Sequence, residues 1–396
     1  MTKKIQLLFF LLLFPLLANA QYGALSPSAE ISILTIGPGE ELYNKFGHSA
    51  FRVKDSLAGV DVVFNYGVFD FNTPNFYTKF AQGKLLYELG VSYYHDFYRS
   101  YVAENRWIKE QVLNLNKEEK QAVSDFLWNN ALPENKYYTY DFFYDNCATK
   151  IRDVLQLTLG NNLVYHDDHI DTEYTFRQLI QTNLKANTWG SLGIDVGLGA
   201  VTDKQAEPIE YQFLPEYVYE GAAHATITHN NRTEALVKSE SVIFENTPVP
   251  DKNNFFGSPL FVFGLFGLGI LWVTYRDIKN KTRSRWLDGI LFTITGLIGI
   301  VLTLLWVATD HTATAHNYNL LWSFPLNFIF AYFIFGKNPS VIVRRYVFLL
   351  ILMLVLLTIH WISGVQGFAI GLIPLFIALA VRYGYVTSYI GKRVGR

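Results

Sequence analysis

Two regimes of hydrophobic patterning divide the chain near residue 250. Before it, apolar positions recur singly at strand or helix spacing, with polar residues between them. From Pro259 on they fuse into five runs, 259–275, 287–308, 319–336, 346–362 and 367–381, almost free of charge. The shortest holds about fifteen residues, marginal for a bilayer unless its flanks extend it. The connectors alternate in charge. Arg276, Lys279, Lys281, Arg283 and Arg285 follow the first run, Lys337, Arg344 and Arg345 the third, and Arg382, Lys392, Arg393 and Arg396 the last. The stretches 310–318 and 363–366 carry no lysine or arginine. Positive-inside counting therefore puts the basic connectors and the C-terminus in the cytoplasm and everything before residue 250 outside. At the N-terminus Lys3 and Lys4, an apolar run from Ile5 to Leu17 and the ending Ala18-Asn19-Ala20 have the form of a secretory signal cleaved before Gln21. Both patterns predict one topology: a signal peptide at 1–20, a periplasmic domain at 21–250, and a membrane domain with five transmembrane helices at 251–396, held in a bacterial inner membrane.

Within the exported part, Glu30 to Thr35 alternates as a strand and stops at the turn Gly37-Pro38-Gly39-Glu40. His48 to Val53 and Asp61 to Gly67 read as an antiparallel pair, which sets residues 65 to 67 opposite His48. A helix, or a helix and a strand, is expected over 74–90, a helix over 117–129, another between 168 and 184, and a helix or turn from Phe213. The Gly-rich stretch 189–199 reads as a loop, and 230–252 as a strand pair with a linker to the membrane. After Cys147, residues Ala148, Ile151, Val154 and Leu155 recur at helical spacing and Gly160 offers a stop, with Asn146 as N-cap.

Cys147 is the only cysteine in 396 residues, so an internal disulfide is excluded and a core thiol, an intermolecular bridge or a reactive thiol remains. The first turn of a helix favours the last of these, because free N–H groups and the helix dipole stabilise a thiolate. His48, at the mouth of its strand, is the candidate base. Asn65 is the candidate third group, accepting from one ring nitrogen so that the other faces the thiol, with Asp70 as runner-up. The N–H of Cys147 and the side chain of Asn146 are candidate oxyanion donors.

The remaining features narrow the partners. Thirty-three basic residues balance 34 acidic ones, which points away from nucleic acid. His166, His169, His224 and His229 have no metal-ligand spacing and no Gly-rich phosphate loop is present, so neither a metal nor a cofactor is expected. Between the second and third apolar runs, Asp310, His311, His316, Asn317 and Asn319 gather at the outer membrane surface, with His360 at the same level. They are either solvated loop residues, hydrogen-bond partners of helix ends, or a lipid headgroup site. Arg177 is a candidate phosphate partner by charge alone.

A His-bearing strand ahead of an Asn-Cys helix resembles the circularly permuted papain-like arrangement of the NlpC/P60 superfamily. GHSAFRV, FNYGVFDF, YDNCATKIRD, FLPEY and HNYNLLW followed by Pro325 resemble, more closely, the Lnb family of lipoprotein N-acyltransferases of the Bacteroides type. The resemblance spans the exported domain and the membrane helices. It implies an α+β permuted papain-like domain followed by an α-helical membrane domain. It also implies transfer of an acyl chain from a phospholipid to the α-amino group of a diacylated lipoprotein, with Cys147 as nucleophile and His48 as base. The alternatives are a membrane-tethered cysteine peptidase or amidase acting on cell-wall peptides, and a non-enzymatic envelope protein.

Overall fold

A computed structural model describes residues 23–248 and 255–394; the expected signal peptide, its cleavage point and the linker residues 249–254 lie outside them. Strands β1 (Glu30–Ile36), β2 (His48–Asp55) and β3 (Val60–Val68) form an antiparallel meander in the expected register, with Ile36 opposite His48 and Phe51 opposite Phe64. The segment expected to be helix and strand is both: α1 (Phe76–Ala81) and β4 (Leu86–Tyr93). Then come α2 (Tyr94–Ala103), β5 (Ile108–Leu113), α3 (Lys117–Asn130), β6 (Tyr137–Thr139) and α4 (Cys147–Leu159). The order continues with β7 (Leu163–Val164), α5 (Phe176–Thr182), α6 (Trp189–Gly197), α7 (Pro215–His224), β8 (Thr226–His229), β9 (Arg232–Ala235) and β10 (Val237–Phe244). Seven strands pair antiparallel in the order β10-β5-β1-β2-β3-β4-β6, and β7-β8-β9 form a smaller sheet.

The central strands are covered on both faces, which is why β1 is buried from Ile31 to Ile36 rather than alternating with solvent. On one face Ile31, Ile33, Phe51 and Phe64 meet Ile151, Val154 and Leu155 of α4 and Val123 and Leu127 of α3. On the other, Leu34, Ile36, Ala50 and Val63 meet Phe97 of α2. The helix that begins at Cys147 is thus an integral wall of the main core. One expectation fails here. Residues 189–197 are helical, because Thr188 caps the segment through the Ser191 N–H and Ser191 returns the bond.

Five segments are long and apolar enough to cross a membrane, among the described residues. They contain α8 (Pro259–Asn280), α9 (Arg285–Val307), α10 (Leu326–Phe335), α11 (Val341–Ile362) and α12 (Ile373–Val394). The third is not the continuous helix expected over 319–336. It enters through 3₁₀ turns at Thr312–Thr314 and Tyr318–Leu321, and α10 starts only after Pro325. Pro325 donates no N–H, and the Ser323 carbonyl beside it lies against Gly299 of α9. A methyl group at Gly299 would overlap that carbonyl oxygen, and one at Gly296 would overlap the backbone nitrogen of Phe328. Small residues on α9 let the irregular third crossing pack backbone to backbone. Within this contact the Asn327 amide donates to Thr295 Oγ1 (2.9 Å) and accepts from the Tyr346 hydroxyl (2.5 Å). At the end of the bundle remote from the periplasmic domain, the buried Arg382 guanidinium bonds both Asp277 and Asp288 at 2.7 Å. A charge buried in a membrane helix is tolerable only with such partners.

The α9 contact is testable. Gly299→Ala should destabilise the detergent-solubilised protein by about 1–3 kcal/mol, the usual cost of overpacking. Gly264→Ala, with open space around it, should leave the melting temperature unchanged. Equal melting temperatures for the two variants would contradict the close approach.

Candidate active site

The site is assembled where the open end of the β2–β3 pair meets the start of α4. Asp141 turns the chain before the helix: its Oδ1 accepts from the N–H groups of Phe143 and Tyr144 (2.9 and 3.0 Å). Asn146 then caps the helix, its Oδ1 accepting from Ala148 and Thr149 (2.8 and 2.9 Å), while Thr149 Oγ1 accepts from the Asn146 N–H. The amide nitrogen of Asn146 donates to the carbonyls of Phe142 (2.6 Å) and Phe213 (2.9 Å). Asn146, a candidate oxyanion donor in the sequence, therefore has both amide hydrogens committed. It is buried and sets the position of Cys147 instead.

His48 Nε2 lies 2.5 Å from Asn65 Oδ1. An amide oxygen only accepts, so Nε2 carries the hydrogen and Nδ1 is left with its lone pair. The backbone N–H groups of Ser49, the residue after His48, and of Cys147 and Ala148 favour the ionised form of the Cys147 sulfur. Gly67, opposite His48 at the end of β3, has φ +91°, and a Cβ there would sit 3.6 Å from Cys147 Cβ. The strand bearing the base and the helix bearing the thiol thus abut, as the hairpin register predicts. Asp70 is turned away, accepting from the N–H (2.8 Å) and side-chain amide (3.0 Å) of Asn72. That leaves Asn65 as the partner of the imidazole.

Electrostatics departs from the expectation of a thiolate. Burial pushes the Cys147 thiol up to about 11, against the opposing pull of the Ser49, Cys147 and Ala148 N–H groups and the Arg106 charge. Burial likewise drives His48 down to about 4, with the bond to Asn65 opposing and Arg106 adding to the fall. At neutral pH the two groups are a thiol and a neutral imidazole, because desolvation outweighs the helix N-terminus. In the sequence Arg106 stands with Arg99 in an aromatic-rich segment, and no motif recommends either. Arg106 is buried, donates through Nε to the Gly37 carbonyl (2.8 Å), pairs with Glu104 (3.1 Å), and leaves Nη2 without a partner. Its cation lies over the Tyr101 ring, and Tyr101 in turn stacks on His48.

The candidates farther away are mostly structural. Arg177 is no free phosphate partner: it is buried, pairs with Asp195 (3.3 Å) and Asp203 (3.0 Å), and donates to the Leu198 and Gly199 carbonyls. Asp203 Oδ1 also accepts from the Gly367 N–H (3.0 Å), in the loop before α12. Asn317 and Asn319 are buried and donate to the carbonyls of Asp195, Val196 and Gly197 at the end of α6. They join the two domains and are not exposed to a headgroup. His316 packs on Trp306, its backbone carbonyl accepting from Ala200. The Asp310 N–H donates to the Gln82 carbonyl (2.8 Å), and the ring of His311 bonds the Phe80 carbonyl (3.0 Å). Thr312 Oγ1 donates to Asp141 Oδ2 (2.7 Å), so the outer loop of the membrane domain bonds the very turn that delivers Cys147. Away from this site, Asp168, His169 and His224 bring one ligand atom each within 4.8 Å of one another, a grouping their sequence spacing does not reveal.

An antiparallel sheet with helices, followed by five apolar crossings, defines a membrane protein with a large periplasmic domain. Residues 20–182 match the Lnb N-terminal periplasmic domain and residues 251–393 the Lnb transmembrane domain, and the chain belongs to this family. No curated protein and no solved structure matches it.

The neutral pair has a measurable signature. At pH 8 Cys147 should react with iodoacetamide roughly a hundredfold more slowly than an unperturbed thiol, from a displacement of about two pKa units. The rate should climb as pH rises from 9 toward 11. A pH-independent fast rate near neutrality would instead indicate a thiolate–imidazolium pair. Arg106→Gln removes a cation that favours both deprotonated forms, so the rise should move to still higher pH.

Proposed function

We propose that the protein is a lipoprotein N-acyltransferase that moves an acyl chain from a membrane phospholipid, through a thioester on Cys147, to the α-amino group of the N-terminal diacylglyceryl-cysteine of a lipoprotein. The observation that carries this reading is the bond from Thr312 to Asp141. It ties the cysteine turn to the loop between the second and third crossings, which keeps the thiol next to the membrane domain, where a lipid ester would have to be presented. A cell-wall peptidase has no need of that contact. Family membership supports the same reading.

In the first half-reaction His48 Nδ1 accepts the thiol proton as Sγ attacks an ester carbonyl of the phospholipid. Neutral imidazole is the form required, and a depressed pKa keeps it neutral. Negative charge grows on the carbonyl oxygen, and the N–H groups of Ser49 and Cys147, which already favour negative charge on the sulfur, are the proposed donors. The C–O bond breaks, the lysophospholipid alkoxide takes the proton from His48, and the acyl group remains on sulfur. In the second half-reaction the lipoprotein amine attacks the thioester carbonyl and gives a proton to His48. The C–S bond breaks, and the proton passes to the departing sulfur. An amide replaces a thioester, so the transfer runs downhill, provided water is kept out by the aromatic walls around Tyr140 and Phe142. No metal or cofactor takes part in this scheme.

Mass spectrometry of lipoprotein N-termini tests the reading in cells lacking their own N-acylating enzyme. Intact protein should add one acyl mass and Cys147→Ala should add none. Asn65→Ala, which frees the imidazole to adopt the wrong tautomer, should slow acyl transfer by about 10²-fold. If neither intact protein nor variant adds mass while cell-wall peptide profiles change, the peptidase reading replaces this one.

A further inference from the structure

The segment between β3 and β4 presents large apolar side chains to the outside. Tyr77 is 80 % exposed, Phe71 69 % and Phe80 52 %, on a stretch whose only charges are Asp70, Lys79 and Lys84. Burying aromatic rings is worth roughly 1.5–3 kcal/mol each, so such a cluster is costly to leave in water. Its place relative to the bilayer is set by two bonds to the loop that leaves α9: Asp310 N–H to the Gln82 carbonyl and the His311 ring to the Phe80 carbonyl. The last turns of α9 carry Val301, Leu304 and Val307, all more than half exposed and therefore facing lipid. The aromatic segment continues that lipid-facing surface one loop farther out. Aromatic rings with flanking lysines are the composition that settles at a membrane–water interface.

The same cluster leads inward. Phe76 lies between the exposed rings and Phe69, at 6.3 Å from Phe80, 4.9 Å from Phe71 and 5.8 Å from Phe69. Phe69 meets Tyr87 at 5.4 Å, and Tyr87 stacks on Tyr140 at 4.5 Å. Tyr140 comes within 3.9 Å of the space over Gly67, which Cys147 borders from the other side. On the segment that enters β2, Leu42 and Tyr43 are exposed as well, with Leu42 beside Gly190 at the start of α6. The next-door Trp189 bonds the Gly257 carbonyl at the head of α8. Exposed apolar side chains thus lie near both contacts with the membrane domain, at the loop that leaves α9 and at the head of α8.

We infer that the 69–80 segment seats in the outer leaflet of the membrane that the helices span, and that its aromatic series guides a phospholipid acyl chain from the leaflet to Cys147. The second half of this inference rests on the acyltransferase reading; the first half does not. The experiment separates them. In the cysteine-free Cys147→Ala protein, a nitroxide is attached at Tyr77→Cys or, as a control, at Leu57→Cys, an exposed position in the β2–β3 turn at the other end of the strands. In vesicles of phosphatidylethanolamine and phosphatidylglycerol, the Tyr77→Cys label should be more accessible to oxygen than to a water-soluble nickel chelate, and the control label the reverse. Matching accessibilities at the two positions would overturn the seating. In protein that retains Cys147, the double variant Phe71→Ser, Phe80→Ser should lower acyl-enzyme formation from the same vesicles, read by intact mass, by about tenfold or more. An unchanged acylation rate with a lipid-seated label would overturn the guiding role. A seated label with no acyl-enzyme in any form of the protein would uphold the membrane contact and overturn the acyltransferase reading.

Discussion

The buried amide of Asn146 is the interaction on which the arrangement depends. Four hydrogen bonds meet at one side chain: two from the first N–H groups of α4, and two to carbonyls of Phe142 and Phe213. A cap normally spares a helix its orphan donors, at a value of about 1 kcal/mol. Here it also anchors the helix end to a second segment 67 residues away in sequence. Helix α4 is in addition a wall of the main core, so the thiol it presents is held by packing along the helix and by hydrogen bonds at its tip. Asparagine alone among the good caps supplies two acceptor sites and two donors in one planar group.

The second constraint is the seam between the domains. Asn317 and Asn319 satisfy the carbonyls at the end of α6, and Arg177 with Asp203 reaches the loop before α12. These are buried polar contacts without spare donors, and removing one partner would strand the other away from water. Polar side chains near a membrane surface invite a reading as ligand sites. In this molecule the backbone of the neighbouring domain is their ligand.

Much of this was legible in the sequence because it is local. Alternation and helical spacing identify β1 to β3 and α4, hydrophobic runs identify the crossings, and antiparallel register alone brings Asn65 to the side of His48. What was not legible is tertiary. Arg106 lies in no pattern, and its charge acts on Cys147 and His48 only because the fold brings all three together. The thiol's ionisation follows the same logic: the helix N-terminus is visible in the residues, whereas the desolvation that overrides it is a property of the assembled walls. Glycines disguised α6 as a loop because its helicity depends on one Thr–Ser cap and on the asparagines packed at its end. The start of the third crossing was hidden for a related reason, since the Gly299 surface that receives it lies on another helix.

The Arg177–Asp203–Gly367 link has a geometric consequence. A soluble domain on a slack tether samples every elevation over a bilayer, and its nucleophile meets whatever group diffuses within reach. Riveted to the crossings through buried ions and amides, this domain carries its sulfur at one altitude and one tilt. For the proposed acyl transfer, choice among the ester bonds of a lipid would then be made by depth, as a gauge block chooses by height, with little need to recognise the headgroup above it.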